Sequence, residues 1–97
     1  MKVVVRSLGV VYPCRGCTAH GDGARQVALL LERRRLAEAA TDVAKARVRY
    51  PVIAIDGCAD ECVRRWLGDN GIVAQRHYVL AGADAHRSCE AIAADLQ

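Results

Sequence analysis

The sequence predicts a single α/β domain over residues 1–97, a small three-layer sandwich in which a short, mainly parallel sheet lies between helices. Near-continuous apolar stretches rich in Val and Ile alternate along the chain with stretches whose apolar residues recur at helical spacing. The chain has no Phe, one Trp and three Tyr, whereas Ala, Val and Leu are abundant. Small aliphatic side chains suit helices packed closely on a short sheet, and 97 residues suit one domain.

The first strand and the first helix have clear local patterns. Residues 2–12 are rich in Val, as expected for a parallel strand buried on both faces, and Pro13 ends the strand. A loop containing three glycines follows over residues 14–23. A helix begins near Asp22 or Ala24, and its apolar residues recur at i, i+3, i+4 and i+7: Ala24, Val27, Ala28 and Leu31.

The middle of the chain continues the alternation. Residues 36–48 favour helix, and Thr41 or Asp42 would cap a second, short helix. Residues 52–55 are β-branched and apolar, which predicts a central buried strand. A helix follows Cys58 and ends at Gly71. Its first turn would hold Asp60 and Glu61, and its apolar face consists of Ala59, Cys62, Val63, Trp66 and Leu67.

The last two elements are a strand over residues 77–80 and a helix that Asp84 would cap. The apolar face of this helix contains Cys89, Ile92, Ala93 and Leu96, so we interpret Cys89 as a core residue. The predicted sheet has three strands, or four if the stretch before residue 52 contributes one.

The charge pattern argues against a nucleic-acid or membrane partner. The net charge is only +3, and the run Arg33 to Arg35 is best explained as the solvated face of a helix. No stretch approaches the ~20 apolar residues that a membrane span needs. Arg6 interrupts the apolar start of the chain too early for a signal peptide. These features predict a cytoplasmic protein that binds neither nucleic acid nor membranes.

Four of the five cysteines form two closely spaced pairs. Cys14 and Cys17 follow the first strand, and Cys58 and Cys62 follow the strand over residues 52–55. If these two parallel strands are neighbours, their carboxyl ends bring both pairs to one edge of the sheet. Positions i and i+4 of a helix share a face, so Cys58 and Cys62 could contact one ion. Four thiolates in a tetrahedron form a structural zinc site.

Other chemistry at these cysteines stays open. A thiol-dependent oxidoreductase or sulfur transferase would use Cys14 or Cys58 as its nucleophile and Cys17 or Cys62 to resolve the intermediate. The same four thiolates could hold an iron–sulfur cluster. His20 could be a ligand, a general base or a solvated loop residue, and the last of these is preferred. The sequence has no general acid–base pair and no nucleotide-binding fingerprint, which favours a binding module over an enzyme.

The chain also resembles the DGC family, whose members are assigned as zinc-binding on the strength of four cysteine ligands. The resemblance covers roughly residues 1–82. It is carried by the segments over residues 12–17 and 51–58, by Cys62 and by residues 77–80. The resemblance implies zinc as the cofactor and places its ligands at Cys14, Cys17, Cys58 and Cys62. Relatives often have a strand and a glycine-rich stretch where this chain has the helix-like residues 36–48, and the final helix with Cys89 is not part of the resemblance.

Overall fold

The computed structural model describes residues 9–14, 21–57, 61–81 and 84–96. These residues form a four-stranded parallel sheet with the strand order β2-β1-β3-β4. In chain order the elements are β1 (Gly9–Pro13), α1 (Gly21–Arg33), β2 (Ala37–Ala39), a 3₁₀ turn (Lys45–Arg47), β3 (Val52–Asp56), α2 (Cys62–Asp69), β4 (Arg76–Val79) and α3 (Ala85–Leu96).

The two central strands, β1 and β3, form the middle of the core. They pair in parallel, with Val10 opposite Val52 and Pro13 opposite Ile55. Every residue of β3 is buried, as are the first four residues of β1. Burial on both faces explains why these segments are apolar without alternation. The predicted central strand and the Pro13 boundary are confirmed.

The helices lie on both faces of the sheet. α1 packs against β1, β2 and α3, whereas α2 packs against β3. The crossovers from β1 to β2 and from β3 to β4 run in opposite directions, so right-handed connections place α1 and α2 on opposite faces. The predicted three-layer α/β architecture is therefore confirmed. The strand order reverses between β1 and β3, which is where open α/β sheets bind ligands.

The predicted apolar faces of the helices form the core. The stripe on α1 is buried, and α3 buries Cys89, Ile92 and Ala93. Asp84 caps α3, since its side chain accepts a hydrogen bond from the backbone N–H of Arg87 at 2.9 Å. This bond holds the pKa of Asp84 below its ordinary value. None of the helices in the described part of the chain is long and apolar enough to cross a membrane.

The helix predicted within residues 36–48 is wrong. The chain instead forms β2, which pairs with β1, and only a short 3₁₀ turn. α1 ends because Arg35 adopts a left-handed backbone with φ 58°. The Ala-rich segment then occupies the exposed edge of β1, where tertiary pairing outweighs its helix propensity. Asp42 does not cap a helix; its carboxylate accepts a hydrogen bond from the N–H of Ala44 at 2.9 Å in a local turn.

Charged side chains fix the segment that follows β2. Glu38 accepts hydrogen bonds from Lys45 and, at 2.7 Å, from Arg49. The bond from Lys45 is the main reason that the pKa of Glu38 lies below its ordinary value. These two bonds hold β2 to the segment that leads to β3.

The second helix begins later than predicted. α2 starts at Cys62, and Glu61 precedes it with a left-handed φ of 54°. The expectation that Cys58 and Cys62 occupy positions i and i+4 of one helix is therefore wrong. The end of α2 is as predicted. Gly71 adopts φ 77°, and the N–H of Ile72 donates a hydrogen bond to the carbonyl of Leu67 at 2.9 Å.

The close approach of β1 to Pro51 leads to a test of the central pairing. A Cβ atom on Gly9 would lie 2.6 Å from the carbonyl oxygen of Pro51, which is backbone and cannot swing away. We expect Gly9→Ala to lower the free energy of unfolding by about 1–3 kcal/mol, measured by urea denaturation.

The matched control is Gly68→Ala in α2, where an added Cβ meets nothing within 4 Å. There the same change should raise stability by about 0.5–1 kcal/mol, because alanine is the better helix former. Equal effects at the two glycines would contradict the close approach of β1 to Pro51.

Candidate functional site at the carboxyl edge of the sheet

The ends of β1 and β3 lie side by side at one edge of the sheet. The backbone N–H of Cys14 donates to the carbonyl of Ile55 at 2.8 Å and so continues the pairing of the two strands. Cys14 is buried, with 1% of its surface exposed. The expectation that the first strand and the strand before Cys58 are parallel neighbours is confirmed.

Cys62 lies at the same edge of the sheet, at the start of α2, which packs against β3. It is the first residue of α2 and is half-buried. Cys14 and Cys62 both line a cavity of about 190 Å³, together with residues from the end of β1, the segment after β2 and the first turns of α2. The structure thus brings together one member of each predicted cysteine pair.

The other predicted site residues lie outside the described residues: Cys17, Cys58 and His20. Their place in the site stays a prediction. Within the described ranges, no group of three or more His, Cys, Asp or Glu side chains could hold a metal ion. A metal site here therefore depends on the two cysteines of the connecting segments. Cys89 is buried in α3, as its helical spacing predicted.

A buried carboxylate, Asp56, organises the edge of the sheet. Its Oδ1 accepts a hydrogen bond from the N–H of Val63 at 2.8 Å, and its Oδ2 accepts one from the N–H of Arg64 at 3.4 Å. These are N–H groups of the first turn of α2, which have no partner within the helix. Glu61, the residue before α2, makes no side-chain capping bond. Asp56 thus caps α2 from the end of β3.

His77 completes this cluster from β4. Its Nε2 lies 2.8 Å from Oδ2 of Asp56, and its Nδ1 lies 3.5 Å from Oε1 of Glu61. In the tautomer that carries its proton on Nε2, the imidazole donates to Oδ2 of Asp56. The imidazole is 21% exposed, whereas Asp56 is 1% exposed. The histidine therefore separates the buried carboxylate from the solvent and joins β4 to the start of α2.

Sequence reasoning missed the roles of Asp56 and His77. In the sequence Asp56 follows the apolar strand over residues 52–55 as the first residue of a turn, and no spacing marks His77 for a role. One signal was available: an acidic residue at the end of a fully apolar strand is buried, and a buried charge needs partners. The identity of those partners depends on how β4 and α2 fold back, which no local pattern contains.

Two comparisons relate the chain to known proteins. The model of the DGC domain matches residues 10–95. The chain is also similar to the anaerobic and virulence modulator AnvM of Pseudomonas aeruginosa, with 34% identity over 84 residues that cover 76% of this chain and 64% of AnvM. The chain thus spans slightly less than two thirds of this relative. No solved structure matches it.

The capping role of Asp56 can be tested by truncation. Asp56→Ala leaves two backbone N–H groups of α2 and the imidazole of His77 without their acceptor. We expect a loss of about 2–4 kcal/mol in the free energy of unfolding, measured by urea denaturation.

Asp84→Ala is the control, because it removes an aspartate cap that is exposed and that accepts its hydrogen bonds from the backbone of the first turn of α3. Its cost should be clearly smaller. A loss for Asp56→Ala no larger than for Asp84→Ala would show that the buried cluster does not stabilise the sheet edge.

Proposed function

The chain belongs to the DGC domain family, and on that premise we propose that it is a zinc-binding module. The ligands are Cys14, Cys17, Cys58 and Cys62, and the metal joins the segments that follow β1 and β3. Zinc ligated in this way orders the carboxyl edge of the sheet as a surface for a protein partner.

The observation that carries this proposal is the meeting of Cys14 and Cys62 at one cavity. The two residues are distant in sequence, and the pairing of β1 with β3 together with the start of α2 brings both to this cavity. Covalent geometry keeps the Cα of Cys58 about 3.8 Å from that of Gly57, which is the last described residue after β3. Cys17 is three residues from Cys14, or at most about 11 Å between Cα atoms.

The donor set suits zinc. Thiolates bind Zn²⁺ at about 2.3 Å in a closed tetrahedron that leaves no position for a substrate. Cys62 opens α2, so the positive end of the helix dipole favours the negative charge of its thiolate. A chain of 97 residues has a small core, and a metal cross-link adds stability that the core alone supplies sparingly.

The partner surface is supported by the relative's name. AnvM is described as a modulator, and the similarity to AnvM covers 76% of this chain. A structural metal that fixes two loops is a common way for a small domain to present a rigid surface. Two other uses of the thiols compete with this one: disulfide or sulfur-transfer chemistry starting at Cys14 or Cys58, and an iron–sulfur cluster.

Metal content separates these functions. We expect protein purified anaerobically to contain one zinc ion per chain by elemental analysis, with its ligand thiols protected from alkylation until a chelator is added. Cys58→Ser and Cys14→Ser should each abolish stoichiometric zinc. Cys89→Ser should retain it, because Cys89 is buried in α3, away from the sheet edge.

Metal-free protein with a reversible disulfide between Cys14 and Cys17, or between Cys58 and Cys62, would overturn the zinc assignment and support the thiol enzyme. Iron with visible absorbance would identify the cluster instead. Zinc retained by Cys58→Ser would contradict the four-cysteine ligand set.

Removal of the metal should loosen the fold. We expect chelation to lower the melting temperature by about 10 °C or more, since each 1 kcal/mol corresponds to about 4–8 °C in a domain of this size. Differential scanning calorimetry with and without chelator measures this shift, and Cys89→Ser should show the same shift as the unaltered chain. A melting temperature that does not respond to chelation would mean that the metal does not hold the fold together.

A further inference from the structure

The cavity at the site has walls from three elements. Tyr12 and Cys14 come from the end of β1, Ala40 follows β2, and Cys62 and Trp66 belong to α2. It lies on the carboxyl side of the sheet, next to the point where the strand order reverses between β1 and β3. In open α/β sheets this is the general location of ligand sites. A bound structural metal needs no such space.

The chemistry of the walls selects a neutral, apolar occupant. No charged side chain lines the cavity among the described residues, and most of its surface is aliphatic, aromatic or sulfur. Burial raises the pKa of Tyr12, so its hydroxyl stays neutral, and this hydroxyl donates to the carbonyl of Asp42. A charged molecule would lose its hydration here without gaining a side chain of opposite charge among the described lining residues.

Two rings form one side of the cavity. The rings of Tyr12 and Trp66 lie with their centroids 5.8 Å apart and their planes at 57°. Tyr12 is 2% exposed and anchored through its hydroxyl, so this wall exists without a ligand. Tilted aromatic rings are favourable neighbours for a third ring, which can pack edge to face against them.

The volume limits the size of the occupant. The cavity measures about 190 Å³. An engineered apolar cavity of about 150 Å³ in another protein binds benzene. The space therefore suits a six-membered ring with one or two small substituents, and it is too small for a nucleotide or a peptide.

We infer that this cavity is a binding site for a small neutral aromatic molecule. The site shares Cys14 and Cys62 with the proposed zinc centre, but it rests on the shape and chemistry of the cavity and does not require the metal.

Trp66 provides a direct test because it is the chain's single tryptophan and lines the cavity. The probe is bromobenzene, whose bromine quenches indole fluorescence on contact. We expect saturable quenching of Trp66 in the chelated protein, in which no metal lies between Cys14 and Cys62. Zinc per chain is measured on the same samples, so a failure of the metal assignment and a failure of the cavity site give different results.

Filling the cavity supplies the discriminating variant. Ala40→Leu places an isopropyl group into the space and should weaken bromobenzene binding by about tenfold or more. Ala94→Leu makes the same chemical change on the exposed face of α3 and should leave the affinity unchanged. Circular dichroism checks that each variant folds, and Ala40→Val replaces Ala40→Leu if the larger side chain prevents folding.

Quenching that rises linearly without saturation, or that is equal in the unaltered chain and in the folded Ala40 variant, would overturn the inference. Either result would mean that bromobenzene meets Trp66 only from the solvent side.

Discussion

The buried carboxylate of Asp56 joins three elements: the end of β3, the first turn of α2 and β4. An ionised group with 1% exposure is unfavourable unless donors surround it, and here two helix N–H groups and an imidazole do so. Because the donors come from α2, the carboxylate fixes where that helix begins. The first residue of α2 is Cys62, so the position of one sulfur follows from the capping of the helix.

This arrangement gives the Asp-Gly-Cys segment two separate tasks. Asp56 stabilises the scaffold, while the cysteine that follows Gly57 is one of the proposed zinc ligands. Cys14 likewise has two roles: its backbone N–H continues the pairing of β1 with β3, and the residue lines the cavity. The chain belongs to the DGC family, and Cys14 and Cys62 line one cavity at this edge of the sheet.

Much of the fold could be predicted from local pattern, and the errors have physical causes. The strand over residues 52–55 and the apolar stripe of α1 could be predicted because burial on one or both faces requires apolar residues at regular positions in the sequence. β2 was expected as helix, with a fourth strand left open, because its three residues include two alanines, which favour helix, and its stability comes from the neighbouring strand. The start of α2 was misplaced because its cap lies in β3 rather than in the residues just before it. The same is true of the site. The positions of the cysteine pairs after two neighbouring strands predicted that Cys14 and Cys62 lie at one edge of the sheet, whereas the Asp56–His77 pair depends on tertiary contact.

The two outer strands bear on how the sheet ends. β2 has only three residues, and its middle position is Glu38, whose charge is matched by Lys45 and Arg49. β4 has four residues and begins with Arg76, which approaches Asp95 of α3 at 3.8 Å. Short strands with paired charges are poor templates for a further strand, since an incoming chain would gain few backbone hydrogen bonds and would have to desolvate an ion pair. Aggregation by extension of the sheet is thus opposed at both sides.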